Sequence, residues 1–200
     1  MTMSSAAPIE VVSASAQVWD DVEQLFGRAG PSNGCWCQYW ILGADYTRRD
    51  KSQNRRDLAQ QVREANAGLV AYRDGTAVGW ARFTPRSELD WLLHRFPTYE
   101  FVQPDVWSLS CFFVARQARG DGVMRQLIEF ASRWGCDHDT LIEGYPIDTG
   151  VDRATRNVFP GVLQVFLDAG FIEQGRLGRD RAVVVSGDGR AIGERRAPSR

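Results

Sequence analysis

The run SLSCFFVARQARGDGVMRQLIEFASRWG, Ser108 to Gly135, constrains this chain more than any other. An apolar stretch passes through a short loop carrying Arg119, Gly120 and Gly122. It then enters a segment whose Val123, Leu127, Ile128 and Ala131 share one helical face. A strand that feeds directly into a helix aims the helix's unpaired N–H groups, and the positive end of its dipole, past the strand end. That construction suits an anion. Glycine there lets the backbone approach a ligand with no Cβ in the way. The loop lacks the lysine and hydroxyl of G-x-x-x-x-G-K-[ST] and does not match G-x-G-x-x-G, so a dinucleotide fold is not supported. A tight turn from strand to helix is the competing reading of the same glycines.

The flanking pattern alternates strands and helices. IEVVSA reads as a first strand, followed by a helix from Gln17 to Arg28 ended by Gly30-Pro31. An aromatic-rich stretch without a clean period, PSNGCWCQYWILGADY, leads to a second helix over Asp50–Ala65. Two β-prone runs flank Asp74-Gly75, a hairpin signal. SELDWLLHRF predicts a short helix with Ser87 as N-cap. TLIEGYPID predicts a strand after the central helix, and PGVLQVFLDAGF a helix with Pro160 near its start and Gly170 as its stop. Two last strands joined around Gly178 complete a mixed α/β domain over residues 1–185. The tail 186–200 has little to bury and is expected to be disordered.

Twenty-four basic residues nearly balance 25 acidic ones, so no global charge points to nucleic acid or an anionic membrane. No window is long and apolar enough to span a bilayer, and the N-terminus lacks the pattern of a signal peptide. Cys35, Cys37, Cys111 and Cys136 therefore read as reduced thiols of a cytoplasmic protein. With two histidines in the chain, four well-spaced ligands for a structural metal are not evident.

Gln117-Ala118-Arg119-Gly120-Asp121-Gly122, placed after an apolar strand and opening an amphipathic helix, resembles the acyl-coenzyme A loop of the GCN5-related N-acetyltransferases (GNAT). Ala169-Gly170-Phe171 resembles the family's late Gly-Phe signature, and the order of elements is similar over roughly residues 9–185. The resemblance implies a mostly antiparallel central sheet of six to seven strands flanked by about four helices, with acetyl-CoA as cosubstrate and no metal. It implies that the backbone from Gln117 to Val123 holds the pyrophosphate. It also implies that the strand edge at Phe112, Phe113 and Val114 pairs with the pantetheine arm, a backbone N–H there polarising the thioester carbonyl. Many relatives pair as homodimers.

Two positions depart from the family pattern. Counting back by twos from Val114 gives Phe112, Ser110 and Ser108, so the strand face offers serines where some members carry a carboxylate base. Phe166 stands where a tyrosine often serves as general acid. Glu143 is the remaining base candidate, with an ion pair to an arginine as its competing role. Tyr145 is a proton donor on the same face, and Ser110 could order a water. Trp36, Tyr39, Trp40 and Trp91 would form an aromatic wall around an acceptor, with Glu88 and Asp90 as acids near it. The expected activity is acetyl transfer to a primary amine of a small molecule. The alternative is a non-catalytic domain that binds and senses an acyl-CoA.

Overall fold

The computed structural model of the chain describes residues 7–64, 67–99, 105–155 and 157–187. One sheet runs in the order β1-β2-β3-β4-β5-β7-β6. Its strands are β1 (Glu10–Ser13), β2 (Gly68–Arg73), β3 (Thr76–Pro85), β4 (Trp107–Val114), β5 (Ile142–Gly144), β6 (Phe171–Arg176) and β7 (Ala182–Ser186). Every neighbouring pair is antiparallel except β4 and β5, which are parallel. The α-helices among the described residues are α1 (Trp19–Phe26), α2 (Tyr39–Leu42), α3 (Lys51–Arg63), α4 (Asp90–Arg95), α5 (Val123–Asp137) and α6 (Leu163–Asp168). This is the mixed, mostly antiparallel α/β architecture that the resemblance implied, with seven strands as expected and six α-helices among the described residues where about four were expected. No described helix is long and apolar enough to cross a membrane.

Local chemistry accounts for most of these elements. Asp74 and Gly75 both take positive φ, 49° and 70°, as a two-residue hairpin turn requires. The apolar stripe of α5 buries Val123, Leu127, Ile128 and Ala131 against Leu69, Ala81, Leu109 and Phe112 on one face of the sheet. On the other face α1 and α3 bury Val22, Phe26, Leu58 and Val62 over Val70 and Trp80. A third cluster, around Trp40, Leu92 and Tyr145, lies beneath α2 and α4.

Several predicted boundaries move. α1 ends at Gly27, whose φ of 68° breaks the helix before Gly30-Pro31. Ser87 is not an N-cap, because residues Arg86–Glu88 form a 3-10 turn and α4 starts at Asp90 after Leu89. The cap forms at α3, where Asp50 accepts the Ser52 N–H at 2.7 Å. α6 begins at Leu163, beyond Pro160, because Gly161 sits at φ 98° and Val162 bridges to Ile147. Ser186, the first residue of the expected tail, instead pairs with Phe171 as the end of β7, while Ala65, the predicted end of the second helix, and residues 188–200 lie outside the described residues.

The feature that makes a site is the parting of β4 and β5. Their ladder has three pairs and ends at Leu109↔Gly144, while β4 continues to Val114. At that point β4 also bulges against β3. The register passes from Phe83↔Leu109 to Arg82↔Cys111, leaving Ser110 as the extra residue. The bulge bends the strand where its neighbour departs, and a wedge opens between them.

Candidate functional site

The chain leaves β4 at Val114, makes a 3-10 turn over Arg116–Ala118 and enters α5 through Gly122 as N-cap. Gly120 and Gly122 take φ of 88° and 81°, and a Cβ at either would meet nothing within 4 Å. The space in front of them is open, not packed. The first intrahelical bond runs from the Gln126 N–H to the Gly122 carbonyl at 3.0 Å. The N–H groups of Val123, Met124 and Arg125 therefore have no intrahelical acceptor. The Asp121 carboxylate turns to Arg73, with Nη1 at 2.7 Å, so its charge is answered by a guanidinium. Gln117 is exposed, Ala118 is buried with its N–H on the Ala115 carbonyl, and Arg119 Nε donates to the Val114 carbonyl at 3.2 Å.

The wedge between β4 and β5 is partly filled by the chain itself. The Phe112 N–H, which points away from β3, donates to the Phe159 carbonyl at 2.5 Å. The bulge also overturns the count by twos. Phe112 and Val114 pack toward α5 with Leu109, whereas Cys111 and Phe113 pack toward α1. Ser110, Ser108 and Phe112 do not share a face.

Beside the wedge lies a pocket of about 260 Å³. The bulge contributes Ser110 and Cys111, and the stretch before α3 contributes Cys35, Cys37, Tyr39, Trp40 and Tyr46. Phe159 and Pro160 close one side, and Arg181 stands at the wall. Ser110 Oγ is buried and has no hydrogen-bond partner among the described residues, while its carbonyl accepts the Trp40 Nε1–H at 3.0 Å. Of the expected aromatic wall, Tyr39 and Trp40 are in place and Trp36 and Trp91 are not. Left-handed backbone at Trp36 and Cys37, φ 47° and 57°, turns the Trp36 ring into the core against Trp19 and Phe26. Trp91 packs over Gly43 and beside His94. Glu88 and Asp90 line a separate groove with Gln61 and Glu64.

Two features of this pocket had no signal in the sequence. Cys37 Sγ and Cys111 Sγ lie 3.6 Å apart, and the fully buried Arg82 is close enough to act on their charge. The hydrogen bond shared with Cys111, then the Arg82 charge, pull the Cys37 thiol below its ordinary range against the opposing effect of burial. Burial pushes Cys35 up to about 12. Arg181 holds its guanidinium 5.0 Å over the Trp40 ring and donates Nη1–H to the Tyr145 carbonyl at 2.9 Å.

Glu143 and Tyr145 do not reach the pocket. Glu143 is 2% exposed and pairs with Arg86 at 2.9 Å. Tyr145 Oη donates to its other oxygen at 2.6 Å and meets Ser108 Oγ at 2.9 Å. Burial raises both groups' pKa, for Tyr145 reinforced by Glu143, and their side-chain hydrogen bonds among the described residues go to Arg86, Ser108 and each other, away from the pocket. Phe166 is wholly buried between the Phe112 and Phe171 rings. No aspartate, glutamate or histidine lines the pocket among the described residues, and none of them groups three or more metal-ligating side chains.

Comparison with known proteins agrees with this architecture. The model of the Acetyltransferase (GNAT) family matches residues 34–143. No curated protein gives a match. A solved structure of a histone acetyltransferase HPA2 and related acetyltransferase from Corynebacterium glutamicum is 20% identical with a TM-score of 0.54, covering 89% of this chain and 95% of its own. Mosquito arylalkylamine N-acetyltransferase like 5b is 11% identical with a TM-score of 0.57, covering 90% and 99%. The yncA protein of Salmonella typhimurium, solved with its cofactor acetyl-CoA, is 14% identical with a TM-score of 0.53, covering 96% and 98%. At such identities the likeness is one of fold.

Proposed function

The chain belongs to the GNAT acetyltransferase family, and on that premise we propose that it transfers an acetyl group from acetyl-CoA to the primary amine of a small molecule held in the pocket beside Ser110. The observation that carries this reading is the continuity of an open N–H cradle at the start of α5, a parted strand edge on β4, and a pocket at the bulge of that strand. In this reading the backbone from Gly120 to Val123 holds the pyrophosphate, and the Arg73–Asp121 pair keeps the one loop carboxylate from opposing it. The pantetheine arm adds to the β4 edge at Phe112 and Val114. To use the Phe112 N–H it displaces the Phe159 carbonyl, so donor binding moves the segment at Phe159 and Pro160.

The amine nitrogen attacks the thioester carbonyl, the C–N bond forms, the C–S bond breaks, and the thiolate leaves. Phe166 has no proton to give it, so solvent supplies one. Among the described residues the pocket is lined by no carboxylate or imidazole, and in this reading the amine arrives neutral or loses its proton to water. The unpartnered Ser110 hydroxyl is placed to order that water.

The test is release of free thiol from acetyl-CoA across a panel of small primary amines, with the acetylated product identified by mass. Amine-dependent release well above hydrolysis is expected. Tight acetyl-CoA binding without release for any amine would instead favour the sensing domain, a reading to which the absence of pocket acids and of the helix tyrosine lends weight.

A further inference from the structure

The pocket beside Ser110 is charged in one sense. Among the described residues that line it, Arg181 is the one permanent charge, and no carboxylate stands with it. Its guanidinium is held at two places, over the Trp40 ring at 5.0 Å and through Nη1 to the Tyr145 carbonyl at 2.9 Å, while its backbone bridges to Ile147. Within 4.0 Å it has no carboxylate among the described residues. The neighbouring Asp180 is turned elsewhere, its carboxylate accepting the Thr155 N–H at 2.5 Å.

A second cation backs the same wall. Arg82 is wholly buried, gives Nη1–H to Gln61 at 2.9 Å, and leaves Nε and Nη2 without partners among the described residues. Two guanidinium groups in poorly solvated surroundings, neither within 4.0 Å of a carboxylate among the described residues, bias the pocket toward an anion, with Glu88 and Cys37 acting on Arg82 and Asp180 on Arg181 only from further off. An immobilised cation of that kind is costly until an anion meets it.

We propose that the acceptor carries a carboxylate a few bonds from its amine, and that Arg181 receives that carboxylate in the pocket. The guanidinium fork matches a carboxylate in two parallel hydrogen bonds, and its rigid seat leaves little entropy to lose on pairing. Trp40 sets the scale. Its ring lies under Arg181 while its Nε1–H reaches the Ser110 carbonyl on β4, so an indole's length separates the anion seat from the strand edge. An amino-acid-sized molecule spans it, with Tyr39, Tyr46 and Phe159 against its apolar part. The proposal rests on the acetyltransferase reading for the amine end, but not for the carboxylate end.

The experiment pairs free amino acids with their own amides as acceptors, following thiol release from acetyl-CoA. With kcat/KM expressed per neutral amine, since the amide's amine is less basic than the acid's, the acid is expected to exceed its amide at least tenfold in the native protein. In Arg181→Gln that ratio falls to near one, and in Arg181→Lys it is partly kept. Melting of each variant establishes that it is folded. Amides as good as acids in the native protein, or a preference that survives in Arg181→Gln, overturns the proposal.

A second arm is independent of turnover. Benzoate and benzamide are titrated calorimetrically into the native protein and into Arg181→Lys and Arg181→Gln. Binding of benzoate but not benzamide, weakened in the variants, supports the carboxylate seat even if no amine is acetylated, in which case only the transferase reading falls. No difference between the two probes sinks the carboxylate seat.

Discussion

Gly120→Ala separates the cost of a left-handed backbone from the loss of a ligand cradle. The residue sits at φ 88° with nothing within 4 Å of a new Cβ, so the methyl group clashes with no part of the protein. The cost to the free protein is conformational, about 1–2 kcal/mol. For a domain of this size 1 kcal/mol moves Tm by about 2–4 °C, so the variant melts about 2–8 °C below the native chain. At a hundredfold excess over Kd, acetyl-CoA stabilises the native protein by about 2.7 kcal/mol, about 5–11 °C. The added methyl occupies the space proposed for the pyrophosphate. Losing one or two charge-assisted hydrogen bonds, about 1.5–3 kcal/mol each, weakens binding about a hundredfold. At the same acetyl-CoA concentration the residual stabilisation is then about 0.4 kcal/mol, a shift of about 1 °C. Thermal melts of both proteins with and without acetyl-CoA read all four states. A variant that keeps the full ligand shift would show that the open space is not the cradle. A free-state loss above about 4 kcal/mol would show that the space is not open.

The buried network around Glu143 predicts a pattern distinct from that of a catalytic base. Arg86→Met alone is expected to cost about 3–5 kcal/mol in denaturant unfolding, and adding Glu143→Leu to recover most of it, because a lone buried charge is worse than none. The kcat of Glu143→Gln, assayed where the protein is folded, stays within about fivefold of native; a fall of about 10²–10⁴ would restore Glu143 as the base. Phe166→Tyr puts a hydroxyl among the Phe112 and Phe171 rings and is expected to lose about 1–3 kcal/mol without raising kcat. A higher kcat would mean that the hydroxyl reaches the leaving sulfur. Cys37, whose thiol pKa is lowered, is expected to be alkylated by iodoacetamide at pH 7 faster than Cys35, and more slowly in Arg82→Met. Peptide mass mapping reads each cysteine separately, and equal rates at Cys35 and Cys37 would contradict the assigned direction.

What could be read ahead of the structure was local. The Asp74-Gly75 turn, the stripe of α5 and the glycines before it depend on residues close in sequence, and their chemistry is unambiguous. The bulge at Ser110 was not legible, because no glycine or proline in SLSCFFV marks it and it arises from pairing with β3. One extra residue reverses every face beyond it, which is why counting by twos grouped Ser110 with Phe112. The Arg86 partner of Glu143 lies 57 residues away and one of several arginines had to be chosen. Trp36 and Trp91 looked like wall residues because aromatic composition does not say which way a ring faces. Arg181 was invisible as a site residue, since only the return of β7 beside β5 brings it over Trp40.

The same charge pattern that nominates Arg181 predicts where the acceptor's proton goes. Among the described residues the pocket is lined by no carboxylate or imidazole to pair with an ammonium, and the guanidinium groups of Arg181 and Arg82 disfavour one further. The reactive species entering from solution is therefore the neutral amine, whose fraction is set by the amine's own pKa. The expected profile of kcat/KM rises with pH up to that pKa and then levels, and it moves with the substrate when one acceptor is replaced by a less basic one. The check is a pair of profiles for an alkyl amine and an aryl amine of similar size, both carrying a carboxylate. A rising limb that tracks each amine supports proton loss before binding. A limb fixed at one pH for both would belong to a group on the protein, and the reading of a base-free pocket would have to be abandoned.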